Sequence, residues 1–227
     1  MMSLWNQFDR IVVFDTETTG IDFQKDRIIE IGAVSLEAGA ETGGMDVFIR
    51  LPGGRRLDPF ITQLTGITEE RLKTEGVDDR QAGTALVALL EGAQNPLIVA
   101  YNAQFDLNFL YGLLHPCGLA GALKKSRFLD AMTVYKDRRD YPHKLENAIT
   151  AYGLEDRAVN SHRAIDDARA AALLLEAMAA ERDDLERYIG LFGVHPKYGI
   201  SGKPISSITY RKQPFSRRRP LYELGST

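Results

Sequence analysis

Residues 11–20 read IVVFDTETTG. The β-branched, apolar start suits a buried strand, and Thr18-Thr19-Gly20 then breaks it. Asp15 and Glu17 are two residues apart, so on a strand their side chains leave the same face. An acidic pair at the end of an apolar strand is costly without a charge partner. Taken alone, the pair serves equally well as turn polars at a strand end, with Asp15 capping something local. What decides is whether the rest of the chain supplies groups that belong beside it.

Working outward, residues 27–36 (RIIEIGAVSL) and 45–51 (MDVFIRL) make two more strands, separated by the glycine-rich AGAETGG. Their short connections favour antiparallel hairpins. Thr68 caps a short helix over residues 68–73, and a longer one covers 79–91. Pro96 precedes LIVA, a fourth strand. NAQFDLNFLYGLL follows, with a helical stripe through Phe105, Phe109 and Leu113. Residues 127–132 form a weak fifth strand, 144–152 a short helix ended by Gly153, and 164–181 an alanine- and leucine-rich helix. Hairpins followed by strand–helix alternation indicate an α/β fold around a mixed five-stranded sheet flanked by helices. From about residue 191 the texture changes to Gly, Pro, Lys and Arg, which divides the chain into residues 1–190 and a small basic extension, 191–227.

Two later segments answer the acidic pair. Asp106 falls in the first turns after the fourth strand, where a helix dipole alone would explain a carboxylate. It is also the end of a strand at which α/β sheets bind ligands. His162 and Asp167, in SHRAIDDA, are five apart, about 140° on a regular helix, so they share a face only if His162 lies in the lead-in to the helix. Asp166 competes with Asp167, and spacing does not choose between them. Brought together, Asp15, Glu17, Asp106 and Asp167 would repel one another unless divalent cations filled the nest. Mg²⁺ and Mn²⁺ prefer such oxygen ligands. Two ions held this way cleave phosphodiesters, with a histidine as base for the attacking water.

Composition is compatible with this chemistry. The chain has 227 residues, 44% hydrophobic and 26% charged, enough for one sizeable domain. No apolar run approaches the roughly 20 residues that span a bilayer, and the N-terminus lacks a secretory pattern. A single cysteine, Cys117, allows no internal disulfide, which points to a cytoplasmic compartment. The net charge of −3 is unevenly spread. Residues 195–227 hold seven basic residues and one acidic residue, while the 194 before them hold 21 basic and 30 acidic. Such a tail suits either a nucleic-acid footprint or a solvated terminus.

FDTETTG, RIIEIGAV, LTGIT, YNAQFDLNFL and HRAIDDA, in that order, resemble the DEDDh branch of the DnaQ-like 3′–5′ exonuclease superfamily, a ribonuclease H-like fold. The resemblance runs from about residue 11 to residue 178. It implies Asp15, Glu17, Asp106 and Asp167 as ligands of two Mg²⁺ or Mn²⁺ ions, His162 as general base, and Asp166 as a variable neighbour. It also implies that Thr16, Thr18, Leu64 and Phe105 surround the 3′-terminal nucleotide. Tyr101 departs from the family, which often has histidine before Asn-Ala. DTETTG and LTGIT are closer to the proofreading exonucleases that accompany DNA polymerases than to RNA trimmers. The implied substrates are single-stranded DNA or frayed DNA 3′ ends, with RNA also suited to the chemistry and a DNA polymerase as partner. A base must be neutral to act, so activity should fall below about pH 6.5. A D-x-D-type phosphotransferase and a non-catalytic nucleic-acid-binding scaffold are the rival readings. Glu17 in place of a second Asp speaks against the first, and the intact set of five residues against the second.

Overall fold

A computed structural model of the chain describes residues 4–213 and 219–224. Arg217 and Arg218, part of the basic extension, lie outside them. The chain begins with a short helix α1 (Leu4–Gln7) and three strands: β1 (Arg10–Thr18), β2 (Ile28–Glu37) and β3 (Ala40–Phe48). Helices α2 (Pro59–Thr65), α3 (Glu69–Thr74) and α4 (Asp79–Ala88) lead to β4 (Pro96–Ala100), followed by α5 (Ala103–Leu114) and β5 (Arg127–Asp130). Helices α6 (Ala131–Arg138), α7 (Leu145–Ala151) and α8 (Ala164–Glu181) complete the main body. The strands form a five-stranded sheet of order β3-β2-β1-β4-β5, antiparallel through the first three and parallel from β1 to β5. The expected mixed sheet with flanking helices is what the chain forms.

Three local readings change. β3 starts at Ala40 instead of Met45, because most of the glycine-rich stretch pairs as strand: Ser35 faces Gly43 and Val34 faces Gly44. Only Ala38 and Gly39 turn, both at positive φ (49° and 83°), as a two-residue hairpin requires. α2 was not anticipated; Asp58 caps it through the Phe60 amide and Pro59 opens it. β5 stops at Asp130 instead of Met132. The Asp130 carboxylate accepts from the Met132 and Thr133 amides and so starts α6, which was also not anticipated.

The sheet buries a core on each face. Ile11 and Val13 of β1 pack with Leu174, Leu175 and Met178 of α8, while Val12 and Phe14 pack with Leu107 and Leu110 of α5. α8 approaches β2 so closely that a Cβ at Gly32 would lie 2.0 Å from the Ile165 amide nitrogen, so no side chain fits there. Strand alternation then sends Asp15 and Glu17 towards α8 and Thr16 towards α5.

The extension forms its own small parallel ribbon from β6 (Leu191–Val194) and β7 (Thr209–Lys212). It is fastened to α5: the Gln104 amide donates to the Ser201 and Lys203 carbonyls at 2.8 and 3.0 Å, and the Tyr210 hydroxyl donates to the Gln104 carbonyl oxygen at 2.7 Å. Among the described residues, no helix is long and apolar enough to cross a membrane.

Candidate active site

The carboxylates meet at the end of β1, where the two helical layers converge on it. Asp15 and Glu17 come from the strand. Asp106 comes from the first turn of α5, where it is 3% exposed and accepts the Thr16 hydroxyl at 2.7 Å. Thr16 therefore spends its side chain on holding Asp106. Asp167 comes from the first turn of α8 and is 6% exposed. His162 lies before that helix, in the left-handed region at φ 55°, and this turn removes the angular conflict that a continuous helix would impose. Single ligand atoms of Glu17, His162 and Asp167 lie within 4.8 Å of one another. Asp166 is turned aside and accepts the Ser161 hydroxyl at 2.6 Å. Geometry thus separates the two neighbouring aspartates that spacing could not.

This nest carries more negative charge than it neutralises. Burial, and then repulsion from Asp106, Asp167, Glu17 and Glu30, hold the Asp15 carboxyl well above its usual range. Burial followed by repulsion from Asp167, Glu30 and Asp106 pushes Glu17 to about 8. Burial raises Asp106 to about 7 despite the Thr16 hydroxyl, and Asp167 to about 6 despite Asn160 and His162. Among the described residues, one buried oxygen of Asp167, Oδ1, has no hydrogen-bond partner. An orphaned acceptor, mutually repelling carboxylates and a neighbouring imidazole are the donor set that hard divalent cations satisfy. The residues present fit such ions.

Two supporting residues were not singled out from the sequence. Glu30 lies opposite Glu17 in the β1–β2 register and its side chain is fully buried. It accepts two hydrogen bonds from the Arg163 guanidinium, at 2.9 and 2.7 Å, and one from the Ala164 amide at 3.2 Å. Burial still raises Glu30 to about 7, with Arg163 working against that rise. The pair clamps the start of α8, next to His162, onto the sheet. The available signal was an acid in the middle of the apolar run IIEIGAV.

The remaining expected residues are more scattered. Phe105 packs with Phe23 and Phe109, ring centroids 5.6 and 5.0 Å away. The Thr18 hydroxyl donates to the Gly20 carbonyl. Leu64 is 40% exposed on α2, beside the more exposed Phe60. Tyr101, the departure from the family, is buried and donates its hydroxyl to the His143 carbonyl at 2.8 Å, tying the start of α5 to the α6–α7 connection.

The RNase T exonuclease family model matches residues 12–175. The chain belongs to that exonuclease family, within the DnaQ-like superfamily. It is 31% identical over 169 residues to DNA polymerase III subunit epsilon of Treponema pallidum, covering 74% of this chain and 75% of that one. It is also 31% identical over 210 residues to a PolC-type DNA polymerase III of Clostridium perfringens, covering 91% of this chain. That match takes in 13% of the much longer polymerase. In fold, the exonuclease resembles a zinc-bound complex of E. coli exonuclease I with single-stranded DNA, with a TM-score of 0.69 at 19% identity, covering 79% of this chain and 42% of the other.

Proposed function

We propose that this exonuclease removes nucleotides from the 3′ end of DNA, in a divalent-metal-dependent hydrolysis that releases nucleoside 5′-monophosphates. The observation that carries this reading is the meeting of four under-neutralised carboxylates with one histidine at a single strand end. Asp15, Glu17, Asp106 and Asp167 would hold two Mg²⁺ or Mn²⁺ ions, which would supply activation of water and neutralisation of the leaving 3′ oxygen. His162 takes the proton at an imidazole nitrogen as water attacks phosphorus. Thr16 keeps Asp106 aimed, and Glu30 with Arg163 keeps the start of α8 in place. Thr18, Leu64 and Phe105 border the terminal nucleotide, with exposed Leu64 offering an apolar surface to its base.

DNA is favoured over RNA because the similar proteins include DNA polymerase III components and a single-stranded DNA complex. Association with a DNA polymerase, and residence in the cytoplasm, belong to the same reading. Residues 1–190 then form the catalytic unit and 191–227 an accessory extension. The test is incubation of the protein with 5′-labelled single-stranded DNA and matching RNA, in Mg²⁺, Mn²⁺ or EDTA, beside Asp15→Ala. A ladder shortening from the 3′ end, faster on DNA and abolished by EDTA and by the substitution, is expected. No shortening of either strand would overturn the reading and leave a binding role.

A further inference from the structure

Away from the carboxylates, the extension and the α6–α7 connection enclose a concavity of about 830 Å³, lined in part by Lys136, Arg139, Tyr141, His143, Lys144 and His195. It is anchored to the catalytic segment. The Tyr101 hydroxyl holds the His143 carbonyl. Asp130, at the start of α6, accepts the Asn102 and Ala103 amides at 3.0 Å each, one helical turn before Asp106. The extension wall is fixed as well, through Gly193 N–H to the Thr133 hydroxyl and the Gln213 amide to the Thr133 carbonyl, both 2.9 Å.

Two features of the lining point to a ligand. Lys136 is half-buried and, among the described residues, makes no hydrogen bond or ion pair. The countercharge acting on it is Asp130, whose oxygens already accept backbone amides and the Thr133 hydroxyl. Arg139, by contrast, is paired with Glu181, and Lys144 reaches Glu146 at 3.5 Å on the surface. Tyr141 is 85% exposed, its ring standing edge-on to His143. An unsatisfied cation beside an exposed aromatic platform is the combination with which proteins hold single strands, through phosphate charge and base stacking.

We propose that this concavity holds the single strand upstream of the cleaved 3′ end, with Lys136 on a phosphate and Tyr141 stacked on a base. This deepens the exonuclease reading and rests on it for the direction of the strand. Asp140 and Glu146 also line the site, so recognition is local to Lys136 and Tyr141 and does not come from a uniformly basic surface.

The test is fluorescence anisotropy with 5′-labelled dT3 and dT16, in the Asp15→Asn background with Ca²⁺ so that no strand is consumed. Lys136→Met and Tyr141→Ala are each expected to weaken dT16 binding about tenfold and to leave dT3 unchanged. Lys136→Met should also lower the salt slope by about one, and Lys136→Arg should retain both affinity and slope. In the otherwise wild-type chain, Tyr141→Ala should raise KM for dT16 with kcat unchanged. Tyr141 is exposed, so its arm reads out even if Lys136→Met fails to fold. Unchanged dT16 binding in Tyr141→Ala, or equal losses for dT3 and dT16, would overturn the proposal. So would loss of dTMP binding in Lys136→Met with dT16 unaffected, which would make the concavity a mononucleotide site. If the unaltered protein shortens no strand while the length-dependent losses persist, the exonuclease reading fails and the binding surface stands.

Discussion

At one end of the molecule the fully buried Arg138 side chain meets Asp184 at 2.5 Å and Glu181 at 3.2 Å, and Tyr222 donates to the second oxygen of Asp184. At the other end, Asp15, Glu17, Asp106 and Asp167 meet each other, with the Thr16 hydroxyl on Asp106, Asn160 and the Ser161 backbone on Asp167, and one nearby imidazole. Both clusters bury charge, but the first sets its acids against a fully buried arginine, while the second sets acid against acid. A matched cluster locks α6 to the segment after α8. An unmatched one leaves buried acids that repel one another and destabilises the metal-free chain.

The contrast is broken most directly by neutralising one acid at each end. Asp167→Asn should lower nuclease activity by at least about 10³-fold, as loss of a group that stabilises transition-state charge does. The same change should leave the metal-free melting temperature equal or higher, because it removes a repelling charge. Single-turnover kinetics and thermal melts in EDTA check both halves. Arg138→Met should do the reverse. Stranding Asp184 and Glu181 should cost about 3–5 kcal/mol in urea unfolding, while the folded fraction keeps its turnover per molecule.

Smaller effects sharpen the comparison. Glu30→Gln should cut activity about 10–100-fold, with weaker Mn²⁺ binding by titration, as loss of a group that orients ligands does. Raised carboxylates bind protons more tightly folded than unfolded. The contribution of Glu17, Asp106 and Asp167 is therefore fully present below about pH 4 and is lost as pH rises through about 6 to 8. In EDTA the melting temperature should fall between pH 5 and 8 by roughly 3 °C or more, and Mg²⁺ should restore it most at pH 8. A metal-free melting temperature that rises over that range would contradict the unmatched cluster. Smallest of all, Tyr101→Phe removes one hydrogen bond to His143 and should cost about 1 kcal/mol in urea unfolding, with catalysis intact.

Much of this arrangement is readable in the chain because it follows from local periodicity. β1 and α8 declare themselves by an apolar run and an alanine-rich helix, and the acids stand at their ends. α2 was hidden because two of its three large apolar residues, Phe60 and Leu64, face solvent, while the face it buries is Ile61 and the polar Thr65. α6 was hidden because its start depends on Asp130 acting as a cap as well as the last residue of β5. Nothing local to Glu30 announces a partner 133 positions away. The choice between Asp166 and Asp167 likewise needed the turn at His162, a backbone state that residue spacing does not encode. The anion-matching network around Arg138 joins residues more than 40 positions apart and was equally out of reach.

α8 arrives late in the chain, yet it carries Asp167, sits next to His162 and covers the face of β1 that bears Asp15 and Glu17. A ribosome works from the other end. By the time residue 150 is made, the central strands and Asp106 exist, but nothing yet closes over the acids. At about 5–20 residues per second, the nascent chain passes seconds in this state. The acids of β1 and α5 are therefore synthesised before the helix that completes the cluster with them.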